Sequence, residues 1–161
     1  MGSIQMFLTI GGLALLSVLM LIFFSSSGVQ YDTKKRNEAV ITATGVAQSL
    51  IEEIAAKAFD EKTISKTMNK TDSLTLVTSF GPDPGETNRL LFDDIDDYNK
   101  YTNVDSLGGL GAFHYRVIIR YAQKFNPDII SLARTFTKRA DISVTNDYMQ
   151  DTLKLTYVYT Y

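Results

Sequence analysis

The sequence predicts an α+β fold in which one long N-terminal helix packs on an antiparallel β-sheet. The first observation is an apolar run from Met6 to Phe24, with no charged side chain before Asp32. The second is a series of apolar residues at helical spacing from Ala39 to Ala58. The third is a group of alternating apolar and polar stretches near the C-terminus, which is typical of strands. The first part of this helix is apolar on all sides and must therefore lie in lipid or among similar helices. The second part is apolar on one side only, so a folded domain must pack against that side.

Three segments are therefore predicted: a hydrophobic transmembrane or filament-core helix over residues 1–29, its amphipathic continuation over 30–60, and a globular antiparallel β-domain over 61–161. The full length of 161 residues leaves room for one modest core beyond the helix. One helix is expected from near residue 3 to near Phe59, because no proline lies in that range. The apolar face of its second part consists of Ala39, Ala43, Val46, Ala47, Leu50, Ile51, Ile54 and Ala58.

The membrane orientation of the apolar run is left open by the sequence. Lys34, Lys35 and Arg36 follow the run, and the positive-inside rule would place the domain after them in the cytoplasm. That rule does not apply where a charged leader inserts the chain and is later removed. A cleavable signal peptide is an alternative interpretation, favoured by the small residues Ser25 to Gly28 but opposed by the run's length and its lack of a preceding basic residue.

Three segments in the middle of the chain have clear signals. SLTLVTSF, from Ser73 to Phe80, alternates and predicts a strand. GPDPGET, from Gly81 to Thr87, contains two prolines and two glycines and predicts a turn or loop. LFDDIDDYNKYTN, which starts at Leu91, predicts an irregular acidic loop.

The C-terminal part predicts the rest of the sheet. The clearest strand is FHYRVIIRYAQKF, and its one face carries Phe113, Tyr115, Val117, Ile119 and Tyr121. A helical turn is expected after Pro127. ADISVTN and DTLKLTYVYTY follow as two strands, joined by a hairpin turn at Asn146 and Asp147. The alternating side chains of the last strand are expected to face the core, with Tyr161 as the exception: Leu153, Leu155, Tyr157, Tyr159 and Tyr161.

Composition argues against several classes of function. The net charge is −2 and no broad basic surface is indicated, so nucleic acid is not an expected partner. The chain has no cysteine, which excludes disulfides and cysteine-based zinc sites within it. The single histidine, His114, lies on the same strand face as two arginines and is expected at the surface. No phosphate-binding loop or nucleophile motif occurs, so no enzymatic activity is expected.

The acidic loop is the one candidate metal site. Asp93, Asp94, Asp96 and Asp97 place several hard oxygen ligands close together, as calcium requires. The spacing is not that of an EF-hand. The alternative is a solvated loop in which the aspartates cap turns through backbone N–H groups. Calcium is the only cofactor that the sequence suggests.

The order of these parts resembles the type IV pilin superfamily, and most closely minor pilin-like proteins of the mannose-sensitive haemagglutinin pilus type. AQSLIEEIAAKAFDE, from Ala47 to Glu61, looks like the end of the family's long helix. LFDDIDDYNKYT, from Leu91 to Thr102, looks like its acidic loop. HYRVIIRY, DISVTN and LKLTYVYTY look like its closing strands. The resemblance covers most of the chain in order.

The resemblance implies a structural subunit of an extracellular type IV pilus-like filament that serves adhesion, motility or secretion. The subunit would sit in the inner membrane before assembly and then join a homopolymer or mixed pilus through the assembly machinery. Residues expected to act in assembly are Gln5, Gly11, Gly12 and Leu16. Pilins usually carry glutamate at the fifth mature position and often proline near position 22; if residue 1 is the mature start, which the sequence leaves open, this chain has Gln5 and Ile22 there. Related secretion-pilus subunits bind calcium, which makes the acidic loop relevant.

A monomeric, single-span, membrane-anchored binding protein is the alternative function. The basic residues after the apolar run would then be a cytoplasmic flank. The glycine pair Gly11 and Gly12 would at most form a dimer contact.

Overall fold

The structure is a computed structural model that describes residues 2–161, apart from the side chain of residue 29. Residue 1, with which the first predicted segment begins, lies outside the described residues. The fold is α+β, as predicted. Two helices and four strands make up the described chain: α1 Gly2–Ala55, α2 Glu61–Ser65, β1 Thr102–Ser106, β2 Ala112–Tyr121, β3 Thr137–Asn146 and β4 Leu153–Thr160.

The chain divides into two compact units, one ending at Glu38 and the other covering Ala39–Tyr161. Every described side chain between residues 2 and 28 is exposed. Among the described residues, α1 is the one helix that is long and apolar enough to cross a membrane. Lys34 and Glu38 lie one turn apart near the end of the first unit and form an exposed ion pair.

In the second unit, the predicted apolar face of α1 is buried. Ala39, Ala43, Ala47 and Ile54 are fully covered, and Leu50 is nearly so. These side chains belong to the same hydrophobic core as the inner face of the sheet. Alanine at three successive turns allows the helix backbone to approach the sheet closely.

The sheet is an antiparallel meander in the order β1-β2-β3-β4. The predicted inner face of β2 is confirmed, because Phe113, Tyr115, Val117, Ile119 and Tyr121 are all buried. The residues that pair with them on β3 are buried as well. The last of these β2–β3 pairs joins Tyr121 to a buried lysine. The inner residues of β3 are Lys138, Ala140, Ile142, Val144 and Asn146.

The helix ends at Ala55, four residues earlier than expected. Beyond it, Ala58 forms an isolated parallel bridge with Asp94. The backbone N–H of Ala58 donates to the carbonyl of Asp93, and the N–H of Ile95 donates to the carbonyl of Ala58. The chain therefore exchanges helical hydrogen bonds for contacts with the acidic loop.

The predicted strand over Ser73–Phe80 is wrong, because this segment starts at the end of one short 3₁₀ turn, Thr71–Ser73, and contains a second, Val77–Ser79. The helical turn expected after Pro127 is a single hydrogen-bonded turn and not a helix, because the N–H of Ile129 donates to the carbonyl of Asn126. There, Gln123 donates to the carbonyl of Ile129 as the segment turns back along the end of β2. β1 was not predicted from the sequence.

The last hairpin largely follows the prediction. Asn146 caps the turn, since its carbonyl accepts from Met149 and its side chain accepts from the N–H of Tyr148. Tyr159 is buried and Tyr161 is 44% exposed, as expected. The prediction is wrong for Tyr157, which is 46% exposed although it pairs with the buried Ala140.

Candidate functional site

The four residues predicted to act in assembly lie in the part of α1 that belongs to the first unit of the chain, and all four are exposed. Gln5, Gly12 and Leu16 fall on one face, because positions separated by four and seven residues share a helix face. Gly11 precedes Gly12 and is therefore rotated by about 100° from it around the helix axis. A Cβ placed on either glycine would meet nothing within 4 Å, so this surface is open to another helix.

Hydroxyl side chains within the apolar part of α1 bond to the helix's own carbonyls. Thr9 donates to Met6, Ser17 to Leu13, Ser25 to Ile22 and Ser27 to Phe23, at 2.8–3.0 Å. A hydroxyl that is satisfied within its own helix can be placed in apolar surroundings without losing a hydrogen bond. The helix is therefore suited to lipid or to a bundle of helices despite these polar residues.

The acidic loop is ordered by its own aspartates. The Asp97 carboxylate accepts from the backbone N–H groups of Asp93 and Asp94, both at 3.0 Å. Asp94 accepts from the N–H of Asp96 at 2.7 Å and of Asp97 at 3.2 Å. This confirms the turn-capping alternative, but the loop is not solvated. Asp94, Asp96 and Asp97 are buried, and only Asp93 of the four is exposed.

A fully buried lysine, Lys138, pairs with one of these carboxyl groups. The Lys138 ammonium, on β3, donates to the carbonyl of Phe59 at 2.6 Å and to the carboxylate of Asp60 at 3.2 Å. It also forms an ion pair with Asp96. Three aromatic rings face the ammonium, those of Phe59, Phe80 and Tyr121, with centroids at 4.8–5.7 Å. Lysine is rarely buried without such partners.

Asp60 is the second anion of this cluster and connects three parts of the fold. It caps α2 through Lys62 and accepts from both the N–H and the hydroxyl of Thr75. The Tyr121 hydroxyl lies 3.3 Å from Oδ2 of Asp60. Burial alone would raise the pKa of Asp60, but the charge of Lys138 and these hydrogen bonds outweigh it and lower the pKa.

The remaining carboxyl groups hold their protons more tightly. Burial, with the neighbouring charges of Asp96 and Asp97, raises the pKa of Asp94 to about 9. Burial also raises the pKa of Asp97 to about 7, with a further contribution from Glu86. The pKa of Asp96 is raised by burial in spite of Lys138. At neutral pH the cluster therefore contains protonated as well as ionised carboxyl groups.

The structure narrows the set of groups that could hold a cation. Carboxylate oxygens of Glu86, Asp93 and Asp97 lie within 4.8 Å of one another. Asp94 and Asp96 are instead directed to the loop backbone and to Lys138. Glu86 was not predicted, because it comes from the preceding turn and no local pattern connects it to the loop. Calcium binding at Asp93, Asp94, Asp96 and Asp97 stays a prediction.

Two residues of the buried cluster were missed from the sequence, Lys138 and Asp60. A signal for Lys138 exists, since it falls in phase with Ala140, Ile142 and Val144 on the inner face of β3. Asp60 has only a weak signal, as an N-cap residue before the short helix α2. His114, by contrast, lies at the surface as expected.

A cavity of about 360 Å³ opens beside the cluster. Carboxyl groups of Glu61, Asp83, Asp94, Asp96 and Asp97 line it, together with Arg134. Comparison of the chain with protein-family models, with curated proteins and with solved structures finds no match. Function is therefore inferred from the chain's own residues.

Proposed function

We propose that this chain is a structural subunit of an extracellular type IV pilus-like filament. Its N-terminal helix holds the subunit in the inner membrane before assembly and then packs among identical helices in the filament. Its partners are copies of itself, or related subunits in a mixed pilus, and the assembly machinery. The role is structural rather than catalytic.

The observation that carries the proposal is the exposed apolar surface of α1. Every large hydrophobic side chain named here is more than half exposed: Ile4, Met6, Phe7, Leu8, Ile10, Leu13, Leu15, Leu16, Val18, Leu19, Met20, Leu21, Ile22, Phe23 and Phe24. Covering one such side chain is worth roughly 1.5–3 kcal/mol relative to water. Lipid or other helices must therefore cover this surface throughout the life of the subunit.

The C-terminal part of α1 favours a helix that carries a folded domain over a helix that serves only as a membrane anchor. From Ala39 the helix presents small residues to the sheet, and its exposed face there carries polar residues such as Gln48 and Ser49. One continuous element thus has a part suited to an apolar bundle and a part suited to an aqueous domain. This arrangement fits a filament with helices inside and domains outside.

Packing, not hydrophobic transfer, would drive the final step. Lipid chains and helix side chains are similarly apolar, so moving the helix from membrane to filament gains little hydrophobic free energy. Close contact at Gly11 and Gly12 would supply van der Waals packing. If residue 1 is the mature start, Gln5 would hydrogen-bond the N-terminal ammonium of a neighbour without neutralising it, so its attraction would be weaker than that of a glutamate.

Exposed apolar side chains of the domain offer surfaces for neighbouring subunits. Phe125 is 95% exposed and Leu132 is 93% exposed, both in the segment between β2 and β3. Leu90, which is 89% exposed, precedes the acidic loop. The acidic loop itself is mostly buried, so these positions are better placed for contacts than its aspartates.

Electron microscopy of material sheared from the native cells tests the proposal, with mass spectrometry to identify the subunit. Thin helical filaments that contain this chain are expected. If the chain stays in the membrane fraction and no filament contains it, the single-span binding protein is the better account.

A matched pair of variants ties assembly to the helix. Leu16→Lys places a charge on the exposed apolar face and is expected to abolish incorporation into filaments. Gln48→Lys adds the same charge to an exposed position of the same helix outside the apolar part and should leave incorporation intact. Equal filament yield from both variants would count against assembly through the apolar helix.

A further inference from the structure

An ion pair in the interior joins Lys138 to Asp96. Lys138 lies on β3 and Asp96 in the 3₁₀ turn Asp96–Tyr98, so the contact links the sheet to the acidic loop. Their side chains are 0% and 4% exposed. An amine and a carboxyl group are thus held against each other without competing water.

Aromatic side chains surround this pair and keep water away from it. The rings of Phe59 and Phe80 lie 4.8 and 5.1 Å from the Lys138 nitrogen, and Tyr121 closes a third side. Apolar surroundings of low polarity penalise an ion pair relative to an uncharged product. A reaction that removes both charges would relieve this penalty.

The buried cluster contains the Lys138 ammonium and, besides Asp96, the carboxyl groups of Asp60 and Asp94. Asp60 already accepts hydrogen bonds from Lys62, Thr75 and Tyr121, so it remains a well-stabilised anion. Asp94 lies directly beside Asp96, and its carboxyl accepts from the Asp96 backbone N–H at 2.7 Å. The Asp94 side chain also hydrogen-bonds to that of Asp96 and lines the same cavity, so it is placed to transfer a proton to and from the reacting groups.

We propose that Lys138 and Asp96 condense into an intramolecular amide bond once the domain has folded, with Asp94 as the proton-transfer group. The proposal is independent of filament formation, because every residue that it uses belongs to the folded domain.

The reaction balances without an external reagent. A proton passes from the Lys138 ammonium to the Asp96 carboxylate, which leaves a neutral amine and a neutral acid. The amine nitrogen attacks Cγ of Asp96 and a C–N bond forms. Asp94 donates its proton to the departing hydroxyl as the C–O bond breaks, and recovers a proton from the nitrogen. One amide and one water result, Asp94 is unchanged, and nothing is oxidised or reduced.

The site is arranged for these steps. The cavity of about 360 Å³ is lined by both Asp94 and Asp96, which gives the water an exit. The bond would connect positions 42 residues apart and fix the acidic loop to the sheet. In a chain without cysteine, it would supply a covalent constraint that a disulfide cannot.

Peptide mapping of the full-length chain, purified in detergent and digested with a protease, tests the proposal. Tandem mass spectrometry is expected to find a branched peptide that joins the Asp96 segment to the Lys138 segment, lighter by one water than the two linear peptides together. Recovery of both linear peptides in full yield from the folded wild-type chain would overturn the proposal. This result needs no variant and so does not depend on any variant folding.

Variants then separate the chemistry from adventitious dehydration. Asp96→Asn is expected to give the same branched peptide, because ammonia leaves in place of water, whereas Asp96→Ala and Lys138→Met should give none. Asp94→Asn should slow the appearance of the branched peptide after refolding. A branched peptide that persists in Asp96→Ala would overturn the assignment of the bond, and an unchanged rate in Asp94→Asn would overturn the role of Asp94.

Discussion

Tyr98 of the acidic loop donates a 2.7 Å hydrogen bond to Glu53 in the last turn of α1. Arg89 forms an ion pair with the same carboxylate oxygen at 3.1 Å. Tyr98 is fully buried, and the ring of Phe92 packs against it edge to face at 5.1 Å. The loop is therefore attached to the helix end through one polar group in an aromatic setting.

Removal of the Tyr98 hydroxyl tests this attachment. Tyr98→Phe keeps the ring but loses the bond to Glu53, and we expect the free energy of unfolding to fall by about 1–2 kcal/mol. Denaturant unfolding of the purified chain in detergent measures the change. Tyr148→Phe, at a side chain that is 44% exposed, is the matched control and should change stability by less than about 0.5 kcal/mol. Equal effects of the two variants would show that the bond contributes nothing specific.

The small residues under the sheet give a second prediction. Ala43 is fully buried between α1 and the sheet, and a larger side chain there would push the two apart. Ala43→Leu is expected to lower the free energy of unfolding by about 1–3 kcal/mol. Gln48→Leu makes a leucine on the exposed face of the same helix and should be nearly neutral. If Ala43→Leu were also neutral, the helix would not be packed as closely as its alanines indicate.

The parts of the fold that were predictable are those that follow a simple period. The alanines of α1 repeat at helical spacing, and β2 alternates over its whole length, so each element specifies its buried face locally. The length of α1 was nearly correct for the same reason. Its end was missed because hydrogen bonds from Ala58 to the acidic loop replace the last helical ones, and that partner is distant in sequence.

Residues 73–80 alternate like a strand, yet their backbone groups bind side chains instead of a neighbouring strand. The Thr75 N–H donates to Asp60, and its carbonyl accepts from the Tyr121 hydroxyl at 2.9 Å. A local pattern cannot indicate such partners. β1 was missed for the opposite reason, since Thr102–Ser106 has little apolar content and is a strand because β2 pairs with it.

The candidate site was only half predictable. The cluster of aspartates is visible in the sequence, but charged residues are expected in solvent, and three of the four are buried here. One of them, Asp96, pairs with Lys138, which follows the phase of β3 rather than the usual preference of lysine. Position in the alternation was therefore a better guide to burial than residue type.

A calcium titration tests the metal prediction. The carboxylate oxygens that lie close enough together to hold one cation are those of Glu86, Asp93 and Asp97. If calcium binds there, it should raise Tm, a chelator should reverse the rise, and Glu86→Gln should abolish it. Glu52→Gln, at an exposed position on α1, is the control and should keep the rise. A Tm that calcium does not move would contradict the prediction.

The pH dependence of stability tests the burial of Asp97. Its pKa is raised by burial from 3.8 to about 7, so the folded chain keeps a proton that the unfolded chain has lost between those values. The stabilisation from this protonated group is fully present below about 3.8 and is lost as the pH rises through about 7. Wild-type stability should therefore decline over this window.

Asp97→Asn isolates this contribution. Asparagine can still accept the two backbone hydrogen bonds but carries no titrating proton, so the variant should gain stability relative to wild type as the pH rises from about 3.8 to about 7. Denaturant unfolding across this range measures the difference. Asp151→Asn, at an exposed carboxylate, separates the effect of burial from that of removing a charge. If the difference between wild type and Asp97→Asn were constant across the range, Asp97 would titrate alike in the folded and unfolded chain, and its environment in the acidic loop would be open to water.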